Sequence, residues 1–296
     1  MDRCGCLIRL VLVRSKPALR TWHETVMSSS LPPEILNLII DHLHDEPTML
    51  RACCLVSKSW VPRTRIHLFY RIEFSSSGPT LKLWMEVFPD PSNSPAHYTH
   101  SLRLSHLNEV VVVISDAHPW VHSFNSIVEL QVATVAQKDY HAPFTRLPGI
   151  FPTLKSLHLF YSFAPFSGVL DCICSFPLLE DLSLSSAAPR VQENPHKWNT
   201  PPTLPRFTGA LFLSWRNRYI TCKLLDLPGG LHFSKITVAC PIGDGDLTEE
   251  LVSACSDTLE SLSVAFYRGA FSPLSVVDKY LILPCRYAQG RGATFN

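Results

Sequence analysis

The 296-residue chain is 46% hydrophobic and 17% charged, well below the usual charged fraction of about 25%. It must therefore bury a large continuous core, in one large or two modest domains. Its formal net charge of +1 and isoelectric point near 7.6 give no electrostatic case for nucleic acid or an anionic membrane. 

Residues 1–27 are basic, with Arg3, Arg9, Arg14, Lys16 and Arg20 against Asp2 and Glu24. Arg9 interrupts the apolar run from Cys6 to Val13, which is a poor signal-peptide core and too short to span a bilayer. The stretch reads as a disordered leader. Its Arg-rich composition also fits an organellar transit peptide, and Met27, ahead of Ser28-Ser29-Ser30-Leu31, equally marks a start.

Residues 28–69 read as three short helices. Leu31-Pro32-Pro33 opens the first, since a proline in a first helical turn gives up an N–H that has no partner there anyway. Apolar residues at Ile35, Leu36, Ile39, Ile40 and Leu43 then follow the 3–4 spacing of one helical face. Asp45 and Glu46 interrupt, and Pro47 begins a second helix with Leu50, Cys53, Cys54, Leu55 and Val56. Ser57 or Ser59 starts a third, carrying Trp60, Ile66, Leu68 and Phe69. A module of about 40 residues buries too little to stand alone, so a partner is expected to complete its core.

On these residues the segment resembles an F-box, whose pattern runs Leu-Pro-x-Glu, apolar pairs, a Leu, then a distal Leu-Val-x-x-x-Trp. Leu31, Pro32, Glu34, Ile39, Ile40, Leu43, Leu50, Leu55, Val56, Lys58 and Trp60 occupy matching positions. Arg51 stands where the family often has an aliphatic, and Ser57 where it often has Cys. The resemblance implies docking onto a Skp-type adaptor and, through it, a cullin scaffold. The expected anchors are Leu31, Pro32, Ile35, Ile39, Leu50, Val56 and Trp60, with Lys58 on the rim. Leu43 and Leu55 are assigned to internal packing.

Over residues 70–267 the rhythm changes. The unit apolar-x-x-apolar-x-apolar occurs at Phe69/Ile72/Phe74, Ile127/Leu130/Val132, Leu154/Leu157/Leu159, Leu179/Leu182/Leu184, Phe233/Ile236/Val238 and Leu259/Leu262/Val264. Weaker copies, Leu102/Leu104 and Leu211/Leu213, have Thr99 and Thr208 in the first slot. The middle residues recur every 25 to 30 positions, the period of a stacked repeat array. Each unit predicts a short strand with its apolar residues inward. Stacking neighbours pairs these strands in parallel, and a plain α/β sandwich is the alternative. Helical returns are expected over Leu81–Phe88, Gly168–Cys174 and Gly245–Cys255, the last with a capping box of Asp246 and Glu249.

The repeat resembles the leucine-rich-repeat family, with Phe-Pro-x-Leu-x-x-Leu-x-Leu copies starting at Phe151 and Phe176. It departs where that family keeps Asn or Cys after the strand, because Val135, Ser162, Ala187, Pro241 and Tyr267 stand there instead. With no asparagine ladder, the expected fold class is α/β: a three-helix F-box followed by an irregular solenoid with parallel short strands. Pro89–Pro95 is a turn-rich connector, and Ser185–Thr208, with Trp198 in it, is a long excursion of the kind that is usually functional. Residues 268–296 show no further repeat and read as an atypical tail of a truncated array.

A search for chemistry finds little. Gly-x-Ser-x-Gly, P-loop, His-Glu-x-x-His and Gly-x-Gly-x-x-Gly are absent from the sequence. The ten cysteines show no Cys-x-x-Cys spacing and their Cys-x-Cys pairs lack histidines at ligand distance, which favours a reduced cytoplasmic or nuclear protein without bound metal. Pro119 separates His118 from His122, His97, His100 and His106 lack a carboxylate at ligand spacing, and Gly243-Asp-Gly-Asp246 lacks the further ligands of a calcium loop. No cofactor and no catalytic residue is expected. The resemblance implies the substrate-recognition subunit of a Skp–cullin–F-box ubiquitin ligase. Because successive strand side chains face opposite sides, a client protein would meet Arg103, Gln131, His158, Phe160, Ser183, Phe212, Trp215 and Thr237. The alternatives are a leucine-rich-repeat scaffold with no ubiquitin role, and a hydrolase with an unrecognised site.

Overall fold

The computed structural model describes residues 32–75, 78–105, 120–134, 147–161, 166–186, 205–214, 218–241, 245–267 and 280–284. The chain divides into two compact units, Met1–Ile127 and Val128–Asn296. Each is α/β, with strands that pair in parallel.

The first unit opens on α1 (Pro33–His42), α2 (Pro47–Val56), a 3-10 turn (Lys58–Trp60) and α3 (Val61–Leu68). Proline stands in the first turn of each α-helix, where its missing donor costs nothing. Ser57 caps the 3-10 turn by accepting from the Ser59 N–H at 3.3 Å. The small core of this cluster is Ile40, Leu50 and Cys53, with Thr64 buried but satisfied by donating to the Trp60 carbonyl at 2.7 Å. Next come β1 (Arg71–Phe74), α4 (Leu81–Val87) and β2 (Ser101–Leu104). Thr80 caps α4, and Asp90 and Ser94 cap two 3-10 turns in the expected connector. Strands β1 and β2 align Ile72 with Leu102 and Phe74 with Leu104. Phe69, Phe74, Trp84 and Phe124 pack around them with ring centroids 5.9 to 6.1 Å apart, the offset and edge-on geometry that aromatic quadrupoles favour.

The second unit runs β3 (Glu129–Thr134), α5 (Leu147–Ile150), β4 (Ser156–Tyr161), α6 (Phe166–Cys174), β5 (Asp181–Ser186), β6 (Ala210–Ser214), α7 (Arg218–Leu225), β7 (Lys235–Pro241), α8 (Gly245–Ala254), β8 (Ser261–Tyr267) and β9 (Tyr280–Pro284). From β3 to β8 every neighbour pair is parallel and follows chain order. The register lines up the repeat positions: Leu130, Leu157, Leu182, Leu211, Ile236 and Leu262 form one row, and Val132, Leu159, Leu184, Leu213, Val238 and Val264 the next. Both rows are buried. The helices turn apolar stripes inward, with Val169, Leu170 and Ile173 on α6, Ile220 and Leu224 on α7, and Leu251 on α8 all buried. Cys172 and Cys174 belong to the same buried layer. Burial lifts both thiols, Cys174 to about 12, so they act as small hydrophobes rather than thiolates.

A main-chain hydrogen-bond pattern recurs just ahead of the strands. The carbonyl of Val128 accepts from the N–H groups of Lys155 and Ser156, and that of Lys155 accepts from Glu180 and Asp181. The Gly209 carbonyl accepts from Ser234 and Lys235, and that of Ser234 from Glu260 and Ser261. The same double acceptance recurs in the first unit, where the Tyr70 carbonyl takes His100 and Ser101. At these steps one carbonyl satisfies two donors ahead of the next strand, so backbone groups beside the buried sheet are not orphaned; at β5–β6 the Glu180 carbonyl takes the Gly209 N–H and the Asp181 carboxylate the Ala210 N–H.

One expectation is corrected. Helix α8 begins at Gly245, so Asp246 lies inside its first turn instead of capping it; there its charge still complements the positive end of the helix. The tail also adds a strand: β9 pairs with β8 in antiparallel sense, Leu262 opposite Leu283 and Val264 opposite Leu281. A continuous apolar run without the repeat spacing can still cover a sheet edge, and Pro284 is tolerated at an edge strand's end.

Candidate functional site

Two surfaces stand out, one in each unit. The first is built on α1 and α2. Ile35, Leu38 and Ile39 on α1, and Met49, Leu55 and Val56 on α2, are between 41 and 75% exposed. Around a core as small as Ile40, Leu50 and Cys53, this is more apolar surface outside than inside.

Of the residues nominated from the F-box resemblance, Pro32, Ile35, Ile39, Val56 and Lys58 are exposed and Trp60 is half-buried. Leu50 is a correction: at 1% exposure it belongs to the internal core, because the α2 face it shares with Cys53 packs inward. Leu55 is the opposite correction. Assigned to internal packing, it is the most exposed of the set at 75%. It ends up outside because it occupies the opposite side of α2 from Leu50 and Cys53. Leu43 is half-buried, and Leu31 lies outside the described residues. Leu38 and Met49 were missed. Their signal was present, since α1 carries apolar residues at 35, 36, 38, 39 and 40, wider than the stripe one small core requires.

A polar clamp holds α1 against α3. Arg63 donates through Nε to Asp41 Oδ1 at 2.7 Å and through Nη2 to Oδ2 at 2.5 Å, and His67 Nε2 lies 2.7 Å from Oδ1. The Arg63 hydrogen bonds, then that of His67, hold the Asp41 carboxyl down at about 2. Bidentate pairing of this kind fixes orientation as well as adding energy.

The second surface is the outward side of β3–β8. Gln131, His158, Ser183, Phe212 and Thr237 fall in one register row, so the structure brings five of the nominated client residues side by side. Ser263 continues the row and was missed, although the alternation rule that picked the others also reaches it. Phe160 lies one row further, opposite Ala133 and Ser185. Arg103 belongs to the first unit, where it donates to Ser105 at 3.2 Å and lies 3.5 Å from Glu73. Trp215 and Trp198 lie outside the described residues.

Across β3–β6 this surface is hollowed into an open groove of about 760 Å³, lined by Glu129, His158, Phe160, Asp181, Ser183 and Phe212 among others. Within its lining, Lys155 donates to Glu180 at 2.9 Å. Asp181 Oδ1 accepts the Ala210 N–H at 2.5 Å, and a Cβ at Gly209 would collide with that carboxylate.

The groove also gathers a hydroxyl, an imidazole and a carboxylate. Ser156 Oγ is 3.2 Å and Glu129 Oε1 3.8 Å from His158, but both meet the same nitrogen, Nε2. A serine relay needs the two on different nitrogens, so that one accepts the hydroxyl proton while the other donates to the carboxylate. This arrangement cannot serve as that relay. Among the described residues there is also no group of three His, Cys, Asp or Glu placed to hold a metal, and no helix long and apolar enough to cross a membrane.

No protein-family model, curated protein or solved structure matches the chain.

Proposed function

We propose that this chain is the substrate-recognition subunit of a Skp–cullin–F-box type ubiquitin ligase, working in the cytoplasm or nucleus. Its helical module docks on a Skp-type adaptor, and its repeat sheet forms a leucine-rich-repeat-like solenoid that holds a client protein. The observation that carries this reading is the exposed aliphatic surface of α1 and α2. Ile35, Leu38, Ile39, Leu55 and Val56 stand in water around a cluster whose own core is a handful of residues. Such a surface marks an interaction site in a soluble protein, and docking would release its water at roughly 25 cal/mol per Å² before ordering costs.

The outward row from Gln131 to Thr237 supports a second, separate interface. It is polar with an aromatic at Phe212, a composition suited to a client contact with a local hot spot. On this reading the chain contributes binding and geometry, and its partners perform the transfer.

Capture of a purified Skp-type adaptor by the full chain tests the proposal. Wild type should retain the adaptor. Leu55→Asp and Ile39→Asp, which alter exposed side chains and spare the core, should lose it by at least about tenfold, since a charge pressed into an apolar interface goes unpaired. Failure of the wild type to retain any adaptor would leave a repeat scaffold without a ubiquitin role.

A further inference from the structure

We propose that Asp41, Arg63 and His67 are positioning residues for adaptor docking: they lie outside the exposed aliphatic surface and set the part of it on α1 against the part on α2. This deepens the adaptor reading and rests on it. The inference follows from how little else holds α1.

Of the ten residues of α1 only Ile40 is buried, with Leu36 on the helix and Leu43 just past it half-buried. The aliphatics that would anchor an ordinary surface helix, Ile35, Leu38 and Ile39, face water instead. Helix α1 packs chiefly on α3 and on the 3-10 turn Lys58–Trp60, and α2 packs on the same two elements. The two helices that carry the docking surface are therefore set relative to each other chiefly through α3.

Helix α3 divides its sides between them. Thr64, fully buried, faces the Cys54 thiol of α2. Arg63 and His67, one turn apart on a neighbouring side, both reach Asp41 of α1. The Arg63 fork takes both carboxylate oxygens, and His67 meets Oδ1 from a second point on α3. Together they restrain the rotation of α1 as well as its distance. The clamp lies at the C-terminal end of the helix. Ile35 comes six residues before Asp41, roughly 9 Å along the helix axis. A tilt of roughly 15° at the clamp would therefore carry Ile35 by roughly 2 Å, enough to spoil the match between two closely packed apolar surfaces. The Asp41 and Arg63 side chains are themselves 32 and 39% exposed, so positioning has to be separated from direct contact with the adaptor.

Titration of a purified Skp-type adaptor against the full chain and its D41A, R63A and D41A/R63A variants tests the proposal, each variant first shown to be folded by its denaturant melt. Each single variant should bind roughly fivefold more weakly, and the double variant no more weakly than D41A, since Asp41 is the one group that both α3 partners hold. Hydrogen exchange in D41A should quicken at the amides of α1 and keep its wild-type rate in α2, a local change that a general loss of stability would not produce. Losses that add up in the double variant would assign direct contacts with the adaptor and overturn the proposal. Equal binding by D41A and wild type, or unchanged exchange in α1, would overturn it as well. Where an alanine variant does not fold, D41N and R63Q complete the cycle with the same expected order. Wild type that captures no adaptor would remove the adaptor reading and this proposal together. Capture by wild type with equal capture by D41A would leave that reading and remove this proposal alone.

Discussion

Asp41 shows how one side chain can fix the orientation of an exposed helical face. It sits on α1, on the side turned away from Ile39, and takes both the Arg63 fork and the His67 ring from α3. Its folded pKa of about 2 lies below the ordinary carboxylate value of 3.8. A depressed carboxylate stabilises the fold above its unfolded pKa, and that stabilisation is lost as pH falls through the folded one. Solvent screening of the half-exposed partners keeps the effect small. Asp41→Ala should therefore lower unfolding free energy by about 1 kcal/mol at neutral pH. The gap from wild type should close between pH about 4 and about 2, as read from denaturant melts across that range. A gap independent of pH would assign the loss to packing instead. None of this clamp was legible in the sequence, because residues 41, 63 and 67 carry no local spacing signal and meet only when α3 folds back on α1.

At the scale of the element, the repeat strands were readable and their returns less so. Leu130, Leu157, Leu182, Leu211, Ile236 and Leu262 are found in one buried row, since a period-2 side-chain pattern bounded by turns leaves a strand only one way to bury both apolar residues. The weak copy at Leu211/Leu213 took its place in that row although its first slot holds Thr208 rather than an aliphatic. Helix starts were less even: α6 begins at Phe166, two residues before expectation, whereas α8 begins at Gly245 as its sequence suggests. Strand β9 carried no repeat spacing and was not expected. Gly209 is a point where the element depends on a missing side chain, because its Cα packs beneath Asp181 and the start of β6. Gly209→Ala should displace that carboxylate and cost about 1 to 3 kcal/mol, seen as a lowered thermal midpoint; an unchanged midpoint would show that the β5–β6 connection yields freely.

For the whole molecule, the balance between inside and outside is the informative quantity. Among the described residues, the apolar core consists chiefly of the two rows of the second unit, the helices packed on them and the aromatic cluster of the first. Ile35, Leu38, Ile39, Leu55 and Val56 of α1 and α2 are left out. Leu38→Ser/Leu55→Ser should leave the unfolding free energy, read from denaturant melts, within about 0.5 kcal/mol of wild type, as expected for exposed substitutions. A large loss of stability would mean that these side chains are covered within the folded chain.

The α/β character, the parallel strands and the inward and outward alternation were determined by the sequence alone, because they arise from local periodicity that any register must respect. Tertiary structure alone decided which apolar residues of the helical module turn inward. Leu50 and Leu55 have the same chemistry and lie five residues apart, yet one is 1% and the other 75% exposed. The same holds for the groove, whose lining is drawn from β3, β4, β5 and β6 and the residues just ahead of them, neighbours only through lateral strand pairing.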